Sequence, residues 1–178
     1  MDIIEFQNTE LCVNCATGDI EDVEEILNTR VININFVDSF GNNALTKAVM
    51  MGHLNIVKRL LEHPDIDVNV ACMKGWTPLM YAILSIDYPT NGVWSCIVRR
   101  LLEVPSLQLL RCCHNGETAL HYACKYNRVS ILKLLCQDSR CTPALVNKKD
   151  SDGYTALMRG VRMGHLDIVK ELDMEGTD

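Results

Sequence analysis

Two clusters of cysteine and histidine are the residues of this sequence that could bind a metal or act as a nucleophile. Cys12 and Cys15, in the stretch CVNC, have the spacing of a zinc knuckle or a redox pair. The stretch CCHNG at 112–116, with His121 and Cys124, offers a second set. Zinc needs four converging ligands, and a thiol nucleophile needs a nearby base and a pocket. A thiol or zinc-dependent enzyme is therefore one hypothesis, although the sequence indicates neither convergence nor a base.

Composition and charge are those of a folded chain that is acidic overall. Of its 178 residues 48% are hydrophobic, the apolar runs are too short to span a bilayer, and the N-terminus lacks a secretion signal. The net charge of −6 divides into nine acidic residues against one basic at 1–38, seven against thirteen at 39–149, and seven against three at 150–178. We expect neither nucleic acid nor membrane as a partner. The basic residues of 39–149 favour an acidic protein partner. The alternative is that these charges are distributed unevenly but are only solvated and bind no partner.

The cysteines indicate a reducing compartment. The chain has nine cysteines, an odd number that cannot all pair in disulfides within one chain. Cys96, Cys124 and Cys136 lie inside helical apolar patterns. We therefore expect buried, reduced thiols without cofactor or metal. The expected location is the cytoplasm, with the nucleus as an alternative.

One phrase recurs along the chain. It begins at Ser39 as SFGNNALTKAVMMGHLNIVKRLLE and returns from Ser151 as SDGYTALMRGVRMGHLDIVKEL. Shorter copies start at Met73 and His114, so that the anchor glycines of the four copies are 34, 41 and 37 residues apart. These glycines are Gly41, Gly75, Gly116 and Gly153. Gly75, Gly116 and Gly153 each directly follow a polar residue, and Gly41 follows Ser39 and Phe40, as is compatible with a turn of positive φ.

Two short helices follow each turn in this pattern. Leu45 and Ala48 place a large and a small apolar residue on one face of the first helix, and the pair recurs at 79/82 and 120/123. The second helix has an apolar stripe, which we expect to face inward: Leu54, Val57, Leu60 and Leu61. Helices this short do not persist alone in water, so the copies must stack on one another.

A repeat of about 33 residues, with a turn and two helices, resembles the ankyrin-repeat family. The resemblance covers roughly residues 9–178 and implies an all-α ankyrin-repeat α-solenoid of five helix pairs with β-turn fingers. It implies an N-terminal extension at 1–8 and a single ankyrin domain at 9–178. The domain would consist of a cap at 9–37 and repeats at 38–71, 72–112, 113–149 and 150–178.

The resemblance also implies where a partner binds. In the family, the turn tips and the exposed sides of the first helices form a concave surface that binds partner proteins. The corresponding positions here, with Tyr88 added from an insertion, are Ser39, Phe40, Asn42, Met50, Met51, Met73, Lys74, Trp76, Leu84, Ser85, Tyr88, His114, Asn115, Glu117, Lys125, Tyr126, Ser151, Asp152, Tyr154, Arg162 and Met163. Some of these side chains could instead only cover a neighbouring finger.

Two insertions interrupt the repeat. The LLE stretches at 60–62 and 101–103 are 41 residues apart, whereas Ala48 and Ala82 are 34 apart, so seven extra residues lie around 84–95. Tyr88 and Trp94 lie in or beside this loop, where aromatic side chains are favoured contact residues. A tolerated surface insertion with Trp94 folded onto the stack is the alternative. Three further residues lengthen the link before the last repeat, within DSRCTPALVN.

Several residues depart from the family pattern. Asn43 stands where threonine is usual, and Cys72 and Cys113 replace the aspartate that opens the turn. These replacements predict less regular fingers. Only the third repeat has the TALH stretch, in which Thr118 and His121 could share a hydrogen bond.

One modification has a motif in this sequence. Ankyrin domains that resemble this one can be hydroxylated on the asparagine that ends a Leu-(five residues)-Asp-Val-Asn pattern, and residues 61–69 match it with Asn69 last. The alternative is that Asn69 bonds a neighbouring backbone, as Asn35 and Asn147 would.

These observations predict a module for protein–protein interaction without catalytic residues, acting as a monomer. Stacking would hold the fingers rigid, so that a partner protein or peptide binds without ordering them. Lys74, Lys125 and Arg162 would favour an acidic partner. The alternative is the regulatory ankyrin portion of a larger protein, such as a channel, kinase, ubiquitin-ligase adaptor or signalling receptor.

Overall fold

The computed structural model describes residues 3–29, 31–85 and 92–174. The contacts divide the chain into two compact units, Met1–Leu107 and Gln108–Asp178, which we call the first and the second unit. In the described residues every regular element is a helix, and an isolated β-bridge joins Cys112 to Thr118. The expected fold class, an all-α ankyrin-repeat array of helix pairs, is confirmed. The single domain over 9–178 stays a prediction.

The described residues of the first unit form three helix pairs. Its helices are α1 (Ile3–Thr17), α2 (Ile20–Thr29), α3 (Ala44–Met51), α4 (Leu54–Leu61), α5 (Pro78–Leu84) and α6 (Val93–Leu102). Helix α3 packs between α1 and α5, and α4 packs between α2 and α6. Stacking thus buries apolar faces that a single pair could not bury by itself.

Helix α1 is longer than the repeat pattern predicts. It begins at Ile3, so residues 3–8 of the expected N-terminal extension belong to the first helix. Asn8 is buried there, and its Oδ1 accepts a hydrogen bond from the N–H of Asn33 at 2.8 Å. This bond ties the start of α1 to the loop after α2.

As far as the structure describes it, to residue 174, the second unit contains two helix pairs and one short connecting helix. Its helices are α7 (Ala119–Lys125), α8 (Val129–Cys136), α9 (Pro143–Val146), α10 (Ala156–Arg162) and α11 (Leu166–Met174). Helix α7 packs on α10, and α8 packs on α11. Helix α9 occupies the stretch in which the sequence predicts a three-residue insertion, so the extra residues form a helical turn.

Two expectations about burial are wrong in detail. The buried stripe of α4 is Ile56, Val57 and Leu60, whereas Leu54 and Leu61 are half-buried, because the buried face is centred closer to Ile56. Among the cysteines placed in apolar patterns, Cys96 is exposed and Cys136 half-buried. Both lie on the second helix of a pair, α6 and α8, and such a helix buries only one stripe of its surface.

No helix among the described residues is long and apolar enough to cross a membrane.

Candidate protein-binding surface

The first finger is a turn built on Asp38. Its Oδ1 accepts hydrogen bonds from the N–H groups of Phe40 and Asn42, both at 2.9 Å, and Gly41 has a φ of 79°. The ammonium group of Lys47 lies 2.7 Å from Asp38 Oδ2. Burial alone would raise the pKa of Asp38, but Lys47 and the two N–H donors outweigh it and hold the pKa below its ordinary value.

The second finger keeps this turn with a sulfur atom in place of the carboxylate. Cys72 Sγ accepts the N–H of Lys74 at 3.4 Å and the hydroxyl of Tyr81 at 3.3 Å. The carbonyl of Cys72 accepts the N–H of Gly75 at 2.7 Å, and its own N–H donates to the carbonyl of Trp76 at 3.0 Å. The loss of regularity expected for this finger is therefore wrong, because backbone bonds and a thiol supply the same contacts.

Successive fingers of the first unit are joined through their backbones. The N–H of Met73 donates to the carbonyl of Phe40 at 2.9 Å. A Cβ at Gly41 would lie 3.0 Å from Cys72 Cα, so only glycine allows this approach. The side chains of Phe40 and Met73 are 66% and 68% exposed on this fixed backbone.

We call Phe40, Met51, Met73, Lys74 and Trp76 the first finger surface. Its apolar members Phe40, Met51 and Met73 are exposed, and Trp76 is half-buried. Lys74 Nζ lies 5.2 Å from the centre of the Trp76 ring, a cation–π distance. This surface is therefore mainly aromatic and methionine-rich, which are residue types enriched in protein interfaces.

The fingers of the second unit open with Cys113 and Asp150. The carbonyl of Cys113 accepts the N–H of Gly116 at 2.9 Å, so the thiol-containing finger is again regular. The Asp150 carboxylate is fully buried: Oδ1 accepts two backbone N–H groups at 3.0 Å, and Oδ2 lies 2.5 Å from Arg159 Nε. Burial would raise the pKa of Asp150, yet Arg159 and the N–H donors hold it below its ordinary value.

Cations stacked on tyrosines characterise this unit. Arg159 also bonds Asp152 at 2.6 Å, and its guanidinium lies 4.7 Å from the Tyr154 ring. The guanidinium of Arg162 lies 5.1 Å from the same ring. Because Arg159 is paired with two carboxylates, Arg162 supplies the accessible positive charge at this point.

Lys125 occupies the corresponding place on α7. Its Nζ lies 2.9 Å from Glu117 Oε1 and 5.8 Å from the centre of the Tyr126 ring. Tyr126 in turn stacks on Tyr122 with ring centres 6.3 Å apart. The charge of Lys125, one of the three cations expected to attract an acidic partner, is thus partly neutralised within the unit.

We call His114, Asn115, Tyr126, Tyr154, Arg162 and Met163 the second finger surface. All of them are exposed except Tyr154, which is half-buried beneath the arginines. This surface is polar, aromatic and cationic, in contrast to the first finger surface.

Some predicted contact residues do not lie at the surface. Asn42 and Glu117 are only 5% and 3% exposed, so the expectation that their side chains are presented to a partner is wrong. Both follow the finger glycine directly, where the chain turns inward to start the first helix. Met50 is half-buried, and Tyr88 lies outside the described residues.

Trp94 is buried rather than displayed. It is 6% exposed, and its Nε1 donates to the carbonyl of Val49 at 3.2 Å. A Cβ at Gly52 would lie 3.2 Å from its ring. Of the two alternatives for this aromatic residue, folding onto the stack is the one observed.

His121 has a structural role. Its Nδ1 accepts the N–H of Thr118 at 3.2 Å and lies 2.9 Å from Thr118 Oγ1, so the expected hydrogen bond between these residues is present and belongs to a capping box at the start of α7. Its Nε2 lies 3.1 Å from the carbonyl of Tyr154, to which it donates when protonated at that nitrogen. Burial lowers the pKa of His121, so the ring is neutral at pH 7. In the first unit Asn43 caps the equivalent helix α3, and its Oδ1 accepts the N–H of Thr46 at 2.9 Å.

The cysteines form no catalytic arrangement among the described residues. None of the nine cysteines, all of which lie in described residues, is in a disulfide, and no group of three or more potential metal ligands gathers in the described part of the chain. Burial raises the pKa of Cys12 to about 11 and that of Cys124 to about 12, and it also raises that of Cys15. A raised pKa disfavours the thiolate that nucleophilic or metal chemistry requires.

Asn69 has the contact that its structural alternative predicts. It is 5% exposed, and its Nδ2 donates to the carbonyl of Ser106 at 2.9 Å. Asn35 makes the same kind of bond to the carbonyl of Asp65 at 2.7 Å. Hydroxylation of Asn69 stays a prediction, and it would require this segment to open.

Comparison with known proteins agrees with the helix pairs and fingers. The family model described as ankyrin repeats (3 copies) matches residues 11–94 and 90–178. The chain is 41% identical over 75 residues to the ankyrin repeat protein YahD of Escherichia coli, covering 42% of this chain and 37% of that protein. It is 32% identical over 133 residues to the ankyrin repeat-containing protein C6C3.08 of Schizosaccharomyces pombe, covering 75% and 53%.

A third relative is named for a regulatory role. The chain is 36% identical over 87 residues to protein phosphatase 1 regulatory subunit 27 of Homo sapiens, covering 48% of this chain and 55% of that protein. The chain thus spans about half or less of the length of these curated relatives. The match of the family model over most of the sequence shows that this chain belongs to the ankyrin-repeat family.

Proposed function

We propose that this chain is a protein-binding module that holds a partner protein or peptide on its finger surfaces. Ankyrin repeats are generally protein-interaction modules, which supports the general function. The observation that carries the specific proposal is the display of Phe40 and Met73 on fingers whose backbones are already bonded to each other. A partner would bury large apolar side chains without ordering the loops that carry them.

We infer that the partner has acidic groups beside apolar ones. Lys74 and Arg162 are each stacked on an aromatic ring, and no carboxylate among the described residues pairs with either cation. A carboxylate of the partner would therefore meet an uncompensated charge at each finger surface.

We further propose that the module is not an enzyme and acts as a monomer in the cytoplasm or nucleus. Support for the first point comes from the buried thiols with raised pKa values and from the structural use of His121. Support for the compartment comes from the nine cysteines, none of which forms a disulfide in the described residues, since a reducing compartment maintains this state.

An affinity capture with matched variants tests the binding surface. The chain, the double variant Trp76→Ala/Tyr126→Ala and a control Val31→Ala would each be immobilised and exposed to lysate. Val31 is 78% exposed but lies outside both finger surfaces. We expect partners captured by the chain and the control to be lost from the double variant, whose melting temperature stays close to that of the parent chain. Equal capture by all three would contradict the proposal.

A regulatory part of a larger protein is a second candidate function. It is favoured by the relative named as a regulatory subunit of protein phosphatase 1 and by the partial coverage of the relatives. Co-purification of the chain with a phosphatase catalytic subunit would support this candidate, and binding of unrelated proteins alone would count against it.

A further inference from the structure

Helix α1 carries apolar side chains on two opposite sides. On one side Leu11 and Cys15 are buried, where α1 packs on α3. On the other side Ile3, Phe6 and Val13 are 74%, 57% and 53% exposed. At 3.6 residues per turn these three side chains form a single stripe along the helix. We call Ile3, Phe6 and Val13 the cap stripe.

A second apolar side is unusual for a helix at the surface. Helix α2 of the same pair has the ordinary pattern, since it buries Val23 and Ile26 and exposes Glu21, Asp22 and Glu24. A surface helix needs one apolar stripe to join the core, and a second stripe indicates a second contact.

The packing of helix pairs does not account for the cap stripe. Gly18 and Gly52 directly follow α1 and α3 with φ values of 92° and 76°, so they mark equivalent places in the two helices. Helix α3 begins at Ala44, which corresponds to residue 10, so residues 3–9 add about two helical turns to the repeat. The bond from the loop after α2 to the buried Asn8 holds these turns in place. Two of the three side chains of the cap stripe therefore lie on a rigid addition to the repeat.

The surroundings of the cap stripe are strongly acidic. Residues 3–29 contain seven acidic residues and no lysine, arginine or histidine. Six of the seven are exposed, and the half-buried Glu10 lies one turn from both Phe6 and Val13. A partner that covers the cap stripe would meet a concentration of negative charge, so complementary groups on it are cationic.

We propose that the cap stripe docks an amphipathic helix of a partner protein, with large apolar side chains on one face and lysine or arginine beside them. The cap stripe extends over roughly 15 Å, which two to three turns of a partner helix match. Packing of side-chain ridges into grooves then buries the apolar faces of both helices. This partner carries the charge opposite to the one inferred for the finger surfaces, so the inference adds a second binding site to the proposed function.

Charge argues against the other possible occupants. A second copy of the chain would bring an equally acidic cap, or residues 150–178 with seven acidic residues and three basic, towards the cap stripe. Both approaches would be repelled. An anionic lipid surface would be repelled for the same reason.

A peptide titration tests the proposal. The probe is a fluorescently labelled helical peptide of about 18 residues, with leucine at the helical period and lysine elsewhere. A peptide of the same composition in scrambled order lacks the apolar face, and a third peptide has glutamate in place of lysine. We expect fluorescence anisotropy to show that the chain binds the first peptide at least about 10-fold more tightly than the other two.

Variants of the chain assign this binding to the cap stripe. Phe6→Ser/Val13→Ser should weaken the affinity for the first peptide roughly 10-fold and leave the melting temperature close to that of the parent, because both side chains are exposed. The control is Val161→Ser on α10, whose 56% exposure matches that of Phe6. It should bind the peptide as tightly as the parent chain does.

Several results would overturn the proposal. Equal binding of the scrambled or the glutamate peptide would show that the apolar face or the positive charge is not recognised. An affinity unchanged in Phe6→Ser/Val13→Ser, or equally reduced in Val161→Ser, would place the binding elsewhere. A dimer in sedimentation that the double variant converts to monomer would assign the cap stripe to a second copy. Binding to phosphatidylcholine vesicles that the double variant abolishes would assign it to a lipid surface.

Discussion

The two finger surfaces use the same backbone device to display different chemistry. In both units a finger carbonyl accepts an N–H from the following finger at 2.9 Å, and a glycine allows the close approach. On this common frame the first unit displays Phe40 and Met73, whereas the second unit displays Arg162 stacked on Tyr154. The repeat fixes where side chains are presented, and the residues between its fixed positions decide which chemical groups are presented there.

The two units also differ in how their fingers are anchored. Asp150 is fully buried beside Arg159, whereas the side chains of Asp38 and Lys47 are 22% and 25% exposed. We expect Asp150→Asn to lower the free energy of unfolding by about 2 kcal/mol, because a largely buried arginine then keeps only the exposed Asp152 as its anion. Asp38→Asn should cost about 1 kcal/mol, since water can solvate Lys47. Chemical denaturation of both variants measures their free energies of unfolding. Equal losses in the two variants would contradict the difference between the two anchors.

The same anchors predict sensitivity to acid. The folded-state pKa of Asp150 is lowered, so its stabilisation is present above the unfolded-state pKa, near 3.9, and is lost as the pH falls through the folded value. The stability of the Asp150→Asn variant should consequently change less with pH in that acidic window than the stability of the parent chain.

The apolar character of the first finger surface should dominate binding. Phe40→Ala with Met73→Ala should weaken the affinity for a captured partner roughly 30-fold, because exposed large side chains at the centre of an interface supply most of its energy. Titration calorimetry measures the affinity, and Val31→Ala serves as the control of matched exposure. A loss as large in the control, or a lowered melting temperature in the double variant, would count against this surface.

The capping residues of the two units should respond differently to mild acid. His121 has a lowered pKa in the folded state, so stability is retained above the unfolded value, near 6.5, and falls as the pH drops below it. We therefore expect the free energy of unfolding of the parent chain to decrease as the pH falls from neutrality towards the lowered pKa of His121. In His121→Thr, which copies Thr46 of the first unit, this pH dependence should disappear. If the variant and the parent titrate alike, His121 does not carry the effect.

The smallest expected effect is on the salt dependence of binding. Arg162→Gln should weaken the affinity about 3-fold at low ionic strength and hardly at all in about 0.5 M salt, because an exposed charge is screened. Lys133→Gln, at an exposed lysine on α8, is the control. If Arg162→Gln leaves the salt dependence of the affinity unchanged, the proposal that the partner has acidic groups is contradicted.

The sequence predicts the helix pairs because stacking repeats the same residues at fixed spacing, as the copies of GHL at 52–54 and 164–166 illustrate. It also predicts the hydrogen bond between Thr118 and His121, because these two residues are only three positions apart. What it does not predict depends on contacts between distant residues. The indole of Trp94 reaches Val49 across 45 positions, and Cys72 replaces a carboxylate because a thiol can also accept an N–H.

Exposure at the fingers was predictable only in part. Phe40 and Asn42 both flank Gly41, yet Phe40 is 66% exposed and Asn42 is 5% exposed, because the turn directs them to opposite sides. The sequence also did not predict the exposed face of α10. Leu157 and Val161 fit the pattern of residues that are buried in the other first helices. Only the absence of a covering helix in the described structure distinguishes them.

Oxidative footprinting of methionines in a complex with a captured partner tests the central claim most directly. Met51 and Met73 on the first finger surface, Met163 on the second and Met158 on the outer face of α10 are all exposed, so all four should oxidise in the free chain. The account predicts that the partner protects Met51, Met73 and Met163 and leaves Met158 as reactive as before. Protection of Met158 alone, with the finger methionines unchanged, would contradict it.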